Sequence, residues 1–196
     1  MTEISPRKTP RQRRSAATFE AILEAAARIL EAGGPEALTT NHVAERAGVS
    51  IGSLYQYFPS KSAIQAELIR RLRRRMLDDL RAGVAVSRGL GLAETVDCLV
   101  RASMRHHADR PELARVLEFL EQTLPLDAET AEVKAQIGAE VMSVLAVHGV
   151  AEIETAAFDL SALTKGMVEA AVQAGEQDYE ALAARISRAA RGYLGV

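Results

Sequence analysis

Tryptophan is absent from this sequence, aromatic residues make up only 4% of its 196 residues, and cysteine occurs once. With so few aromatic side chains, a buried core must consist of Leu, Val, Ile and Ala, a composition that favours helices. The single cysteine, Cys98, cannot form an intramolecular disulfide, so we expect a reducing compartment, the cytoplasm. Cys98 is then either a redox-sensing thiol or a buried inert one.

Long apolar runs are missing as well. No stretch reaches the roughly 18 apolar residues that a membrane helix needs. The basic N-terminus is not followed by an apolar segment with a cleavage site, so it is not typical of a secretory signal. We therefore expect no membrane partner. Apolar residues still make up 48% of the chain, enough for a substantial core.

Charge is distributed unevenly along the chain. Residues 1–83 carry a net charge of +5, whereas residues 84–196 carry −7. Two halves of opposite sign suggest two different partners, and nucleic acid is the expected partner of the basic half. Chance clustering of charged residues is the alternative explanation.

Helical periodicity recurs along the chain, and no strand pattern or repeat appears. Residues 1–14 are basic and poor in apolar side chains, which predicts a flexible arm. The rest predicts an all-α fold of about nine helices, with Gly33, Gly34 and Pro35 ending the first, and Ser60, Pro111 and Asp178 beginning the fourth, sixth and ninth. We expect a DNA-binding domain over 15–60 and a larger sensing and dimerisation domain over 61–196.

The segment from Thr40 to Leu54 fits a helix-turn-helix. Its core positions are apolar, Ala44 is small where the second helix crosses, and Gly48 stands where the turn needs a positive φ. Ser50 can cap the next helix, and Leu54 can anchor it. Two ordinary packed helices are the alternative.

A longer stretch, TTNHVAERAGVSIGSLYQYFPSKSAIQAEL, closely resembles the DNA-binding domain of the TetR/AcrR family of repressors. The resemblance covers about residues 15–70. It implies a homodimer that binds a palindromic operator in double-stranded DNA and responds to a small-molecule effector.

The third helix is then the recognition helix, whose N-terminal part enters the major groove. Side-chain hydroxyls and amides can bond to base edges or phosphates, and Lys61 can pair with a phosphate. In the family, the residues matching Thr40, Tyr55, Tyr57 and Lys61 are commonly phosphate contacts, although many relatives have His in place of Tyr57. The predicted DNA-binding residues are Thr40, His42, Ser50, Gly52, Ser53, Tyr55, Gln56, Tyr57 and Lys61.

The C-terminal part, by the same resemblance, holds an effector pocket between helices four and seven and a dimer interface on helices eight and nine. The pocket candidates are Val100, Met104, His107, Leu117, Leu120, Glu121 and Val144. The interface candidates are Leu160, Leu163, Thr164, Met167, Ala171, Leu182, Ile186, Ala189 and Tyr193. Core packing is the alternative role for each apolar member of both sets.

Five arginines lie within residues 70–75 of the fourth helix. They cannot share one face, since successive residues rotate by about 100°. Most of them are therefore expected on a solvated surface with salt bridges.

No sequence motif of a hydrolase, nucleotide-binding enzyme or metalloenzyme is present. We therefore expect no catalysis, no metal and no cofactor. Two other functions stay open at this stage: a helix-turn-helix that only binds protein, and an all-α enzyme without a recognisable motif. Among regulators, the family resemblance favours a repressor.

Overall fold

The computed structural model describes residues 5–6, 13–125 and 128–196, apart from the side chains of residues 13 and 14. Within these ranges all regular structure is helical, which confirms the predicted all-α class. The helices are α1 (Arg13–Ala37), α2 (Thr40–Ala47), α3 (Ile51–Tyr57), α4 (Lys61–Val86), α5 (Leu92–Asp109), α6 (Pro111–Thr123), α7 (Ala128–Val147), α8 (Ile153–Gln173) and α9 (Tyr179–Leu194). Most of the predicted basic arm lies outside the described residues.

Local capping signals set most of the helix ends. The Ser60 hydroxyl accepts the Ala63 N–H at 3.1 Å, and the Asp178 carboxylate accepts the Ala181 N–H at 2.9 Å. Pro111 occupies the first turn of α6, where its missing N–H leaves no donor unpaired. These three predicted helix starts are confirmed.

The predicted break at the end of α1 is confirmed, but the helix continues for one more turn beyond it. The chain kinks at Gly34, which has φ 67°, but a further turn follows through Pro35 to Ala37. Proline suits this place because its fixed φ matches the first position of a helical turn. The extra turn brings Leu38, which is 1% exposed, into the apolar core.

The chain divides into two compact units, and the first consists of Met1–Leu72 together with Arg110–Ala131. Its core joins side chains of α1, α2, α3 and the first half of α4 with four from α6, namely Leu113, Val116, Leu117 and Leu120. These four side chains explain why α6 belongs with α1. The predicted boundary after residue 60 therefore does not coincide with this division, and the predicted functional domains remain a hypothesis.

The arginines of α4 do not all lie on a solvated surface. Arg70 is only 1% exposed, and its guanidinium pairs with Glu67 and, at 3.1 Å, with Glu129. Arg71 forms a bidentate bridge to Glu20 on α1, with N–O distances of 2.5 and 2.6 Å. Arg70 is the exception among the five arginines, since the other four are half-buried or exposed; it is buried because carboxylates within the first unit neutralise its charge.

The second unit consists of Arg73–Asp109 and Glu132–Val196. Its largest apolar cluster joins α5, α8 and α9, with Leu182 and Ile186 among the buried members. Gly83 allows α4 and α5 to approach closely, because a Cβ there would lie 3.0 Å from the Cβ of Ala102. Among the described residues, no helix combines the length and apolar character needed to cross a membrane.

Candidate nucleic-acid interface

The turn between α2 and α3 has the geometry that the sequence predicts. Gly48 adopts φ 67° and ψ 31°, and the Val49 N–H donates to the Ala44 carbonyl at 3.0 Å. The Ser50 hydroxyl caps α3 by accepting the Ser53 N–H at 3.1 Å. Val43, Ala44 and Leu54 are buried beneath the turn. A left-handed glycine followed by a capping serine thus holds α3 at its angle to α2.

Two predicted contacts from different helices meet on the surface. The hydroxyl oxygens of Thr40, at the start of α2, and Tyr55, on α3, lie 3.2 Å apart. Thr40 is half-buried and Tyr55 is exposed. A pair of hydroxyls beside the free N–H groups of a helix start can together bind a phosphate oxygen.

Several other predicted residues surround this pair on the outside of the helix-turn-helix. His42, Ser50, Gly52 and Gln56 are exposed, and Ser53 is half-buried. The hydroxyls of Ser50 and Ser53 lie 2.8 Å apart, so both are already engaged in the cap. The His42 ring nitrogen Nδ1 lies 3.2 Å from the Ala37 carbonyl oxygen, which orients the imidazole.

The structure places Tyr57 and Lys61 differently from the other predicted contacts. Tyr57 is 7% exposed, and its ring packs edge-on against Phe19 with centroids 6.0 Å apart. Lys61 is half-buried, and its ammonium group donates to the Pro35 carbonyl at 2.7 Å. Tyr57 thus links α3 to α1 and Lys61 links α4 to α1, and Lys61 would have to leave or share its carbonyl partner to bind a phosphate.

The sequence analysis missed Ile51, the first residue of α3. Its side chain is 38% exposed, although isoleucine is among the residue types most often buried. Ile51 stands three and seven residues before the core positions Leu54 and Phe58, a spacing that predicts the same buried face, so periodicity gave no signal of its exposure.

Ion pairs connect α1 to other parts of the first unit. Arg110 donates to Glu31 through two bonds of 2.7 Å and to Glu24 at 3.1 Å. The hydrogen bonds that Arg110 donates to Glu31 raise the pKa of Arg110 above its ordinary value. The hydrogen bond from Arg71 likewise lowers the pKa of Glu20. These bridges bind α1 to α4 and to the start of α6.

The predicted pocket residues fall into two groups. Val100, Met104 and Val144 are buried in the second unit, as is His107, whose ring stacks on Tyr179 with centroids 5.9 Å apart. Leu117 and Leu120 belong to the core of the first unit, and Glu121 beside them is half-buried.

The predicted interface residues differ in their exposure within the single chain. Ala171, Leu182 and Ile186 are buried in the cluster of α5, α8 and α9 and are therefore already covered. Leu160, Leu163, Thr164, Met167 and Ala189 are half-buried. Tyr193 is exposed, and its hydroxyl donates to Asp159 on α8 at 2.7 Å, which links α9 to α8.

Two family models together match most of the chain. Residues 22–68 match the model of bacterial regulatory proteins of the tetR family. Residues 91–194 match the model of a tetracycline-repressor-like C-terminal domain. The chain therefore belongs to the tetR family, as its resemblance to TetR/AcrR repressors predicted.

Curated relatives match over shorter stretches. The uncharacterised HTH-type transcriptional regulator Rv1255c of Mycobacterium tuberculosis is 29% identical over 102 residues, which cover 52% of this chain and 50% of that protein. The HTH-type transcriptional repressor KstR of Mycolicibacterium smegmatis is 55% identical over 40 residues, 20% of each chain. The matched segments thus span half or less of the length of these relatives.

Solved structures match over nearly the whole chain. The fatty acid degradation regulator FadR of Bacillus halodurans shares 18% identity and a TM-score of 0.72, over 89% of this chain and 98% of that one. FadR of Bacillus subtilis, solved in complex with stearoyl-CoA, shares 16% identity and a TM-score of 0.74, over 88% and 97%. At this identity the likeness shows a shared fold.

Proposed function

We propose that this protein is a DNA-binding transcriptional regulator, a repressor that a small-molecule effector releases from a palindromic operator. The observation that carries the proposal is the exposed polar face of α2 and α3, where the Thr40 and Tyr55 hydroxyls meet. Membership of the tetR family supports it, as does the similarity of 40 residues to the repressor KstR. The proposal assigns no catalysis to the chain and places it in the cytoplasm, with the chromosome.

The geometry of the helix-turn-helix suits this role. The N-terminal part of α3 carries Ser50, Gly52 and Ser53 on its outer side, and it can enter a major groove about 12 Å wide. Gly52 has no side chain to hold the backbone away from the DNA. Thr40 and Tyr55 then bind a phosphate beside the groove and fix the orientation of the helix.

A homodimer would double this contact. The exposed side of α8 carries Phe158, Ala162, Gly166 and Ala170 at intervals of four residues. Small residues at this spacing let a partner helix approach closely, and Phe158, which is 73% exposed, offers an apolar anchor. Two copies of α8 and α9 would form a four-helix bundle and present two recognition helices to an approximate palindrome.

Release by an effector requires a difference in its affinity for two conformations. An effector that prefers the conformation with poorly spaced recognition helices lowers DNA affinity by that preference alone. We assign effector binding to residues 61–196, with Val100, Met104, His107 and Val144 as its candidate contacts in the second unit.

The decisive experiment is a mobility-shift titration of the purified protein with DNA from beside its own gene, across a salt series. We expect tight binding that prefers this DNA over random DNA and weakens steeply as salt rises, because bound lysines and arginines release counterions from phosphates. The variant Tyr55→Phe keeps the ring but removes the hydroxyl near Thr40, and it should weaken binding to all sequences alike. A protein that binds no DNA at low salt, or binds every sequence equally, would contradict the proposal.

A further inference from the structure

Ile51, at the start of the recognition helix, is 38% exposed, although isoleucine is among the residue types most often buried. Apolar side chains of the first unit form one cluster that includes Leu54 and Phe58 and, partly buried, Val49. Within the described part of the chain, this cluster does not include Ile51. An isoleucine exposed to this extent offers methyl groups to something outside the unit.

The surroundings of Ile51 are polar. The next residue is Gly52, and the hydroxyls of Ser50 and Ser53 lie beside it in the helix cap. Tyr55, one turn further along α3 and on the same side as Ile51, has its hydroxyl near that of Thr40. The apolar surface of Ile51 is therefore small and lies among hydrogen-bonding groups, unlike the broad apolar patches of protein interfaces.

The major groove of double-stranded DNA combines a small apolar group with hydrogen-bonding groups around it. In the major groove, thymine alone among the four bases presents a methyl group, at C5, beside the hydrogen-bonding edges of neighbouring bases. The first residues of a recognition helix are the ones that reach base edges. The Thr40–Tyr55 pair on a phosphate would hold the start of α3 at that depth.

We propose that Ile51 determines operator specificity by contacting the C5 methyl group of a thymine in each half-site. This inference rests on the proposed function and goes beyond it by naming the base that one residue reads. The contact removes about one methyl group from water, which corresponds to about a fourfold loss of affinity per half-site when that methyl is deleted.

The test pairs a change in the protein with a change in the DNA. Each thymine of the bound site is replaced in turn by uracil, which lacks only the C5 methyl, in both half-sites together. Wild-type protein should lose about 15-fold in affinity at one symmetric thymine position, the product of two half-site losses. Ile51→Ala should bind the thymine and uracil sites equally at that position while responding as wild type at all others.

Two further variants make the result specific. Val86→Ala removes another exposed aliphatic side chain, outside the helix-turn-helix, and should keep the wild-type response to uracil. Ile51→Val keeps most of the side chain, and its loss of affinity on replacing thymine by uracil should lie between those of wild type and Ile51→Ala. This variant supplies a measurement if Ile51→Ala binds DNA too weakly to titrate. Because Ile51 lies outside the core, both of its variants should unfold at the wild-type urea concentration.

The outcomes separate the two proposals. Sequence-preferring binding that is insensitive to every uracil, or a uracil loss of equal size in wild type and Ile51→Ala, overturns the role of Ile51 and leaves the regulator intact. Absence of sequence-preferring binding by the wild-type protein overturns both.

Discussion

Replacing Lys61 with methionine tests whether this residue holds the protein together, binds DNA, or does both. Methionine keeps the unbranched apolar stem and removes the ammonium group that donates to the Pro35 carbonyl at 2.7 Å. A hydrogen bond from a charged donor contributes about 1.5–3 kcal/mol. Lys61 is half-buried, so water can replace part of that bond, and we expect the lower end, about 1.5 kcal/mol. For a chain of this length, that loss corresponds to a fall in Tm of about 3–6 °C.

The same variant has a separate expected effect on DNA binding. Each phosphate contact contributes about 0.9 to the slope of log affinity against log salt concentration. A dimer that loses Lys61 from both subunits should therefore have a slope lower by about 1.8. Urea unfolding followed by circular dichroism measures the loss of stability. Fluorescence anisotropy with a labelled DNA fragment that carries the bound site, across a salt series, measures the change in slope.

The two readouts together decide the role of Lys61. Lys134→Met, at an exposed lysine outside the helix-turn-helix, is the control and should change neither quantity appreciably. A loss of stability with an unchanged salt slope would refute the phosphate contact and leave Lys61 bound to Pro35 in the complex. A lower slope with unchanged stability would refute the stabilising role of the Pro35 bond.

Three further predictions address the turn, the dimer and acid stability. Gly48→Ala should lower the free energy of unfolding by about 1–2 kcal/mol in urea titrations, because the Cβ of alanine is strained in the left-handed conformation at φ 67°. A change in this free energy within error of zero would contradict the prediction. Phe158→Glu should produce monomers in sedimentation velocity while Phe119→Glu, at another exposed phenylalanine, should not; an intact Phe158→Glu dimer would move the interface elsewhere. The lowered pKa of Glu20, caused by its hydrogen bond to Arg71, stabilises the fold above about pH 4.3, and this contribution is lost as pH falls through the folded-state pKa. Glu20→Gln should therefore lose less stability than wild type between neutral pH and pH 3, and equal losses would refute it.

The helix-turn-helix shows what short-range sequence signals can predict. The positive φ of Gly48 and the Ser50 cap depend on backbone geometry over a few neighbouring residues, and both appear in the structure as expected. The end of α1 shows the limit of such signals. Glycine and proline at Gly34 and Pro35 predict a break, but the additional turn that follows depends on how Leu38 packs into the core.

Burial of charge was harder to predict. Arg70 and its neighbours look alike in the sequence, yet Arg70 alone among those described is buried to 1%. Its burial depends on Glu129, which lies far along the chain and neutralises part of its charge. Likewise, the partner of Lys61 is a carbonyl 26 residues earlier. No local pattern contains information about partners so distant.

The sequence by itself therefore determined the helical class, most helix ends and the helix-turn-helix, because these depend on capping, periodicity and single-residue conformational preferences. Only the tertiary structure decided what covers each apolar face. Leu182 and Ile186 form an apolar stripe that a partner chain or the chain's own α5 could bury, and the structure assigns them to the core with α5. Ile51 is the converse case, since its spacing from Leu54 and Phe58 predicts burial and only the packing of the first unit leaves it 38% exposed. Periodicity indicates that a face is apolar, but the element that buries it depends on contacts between distant segments.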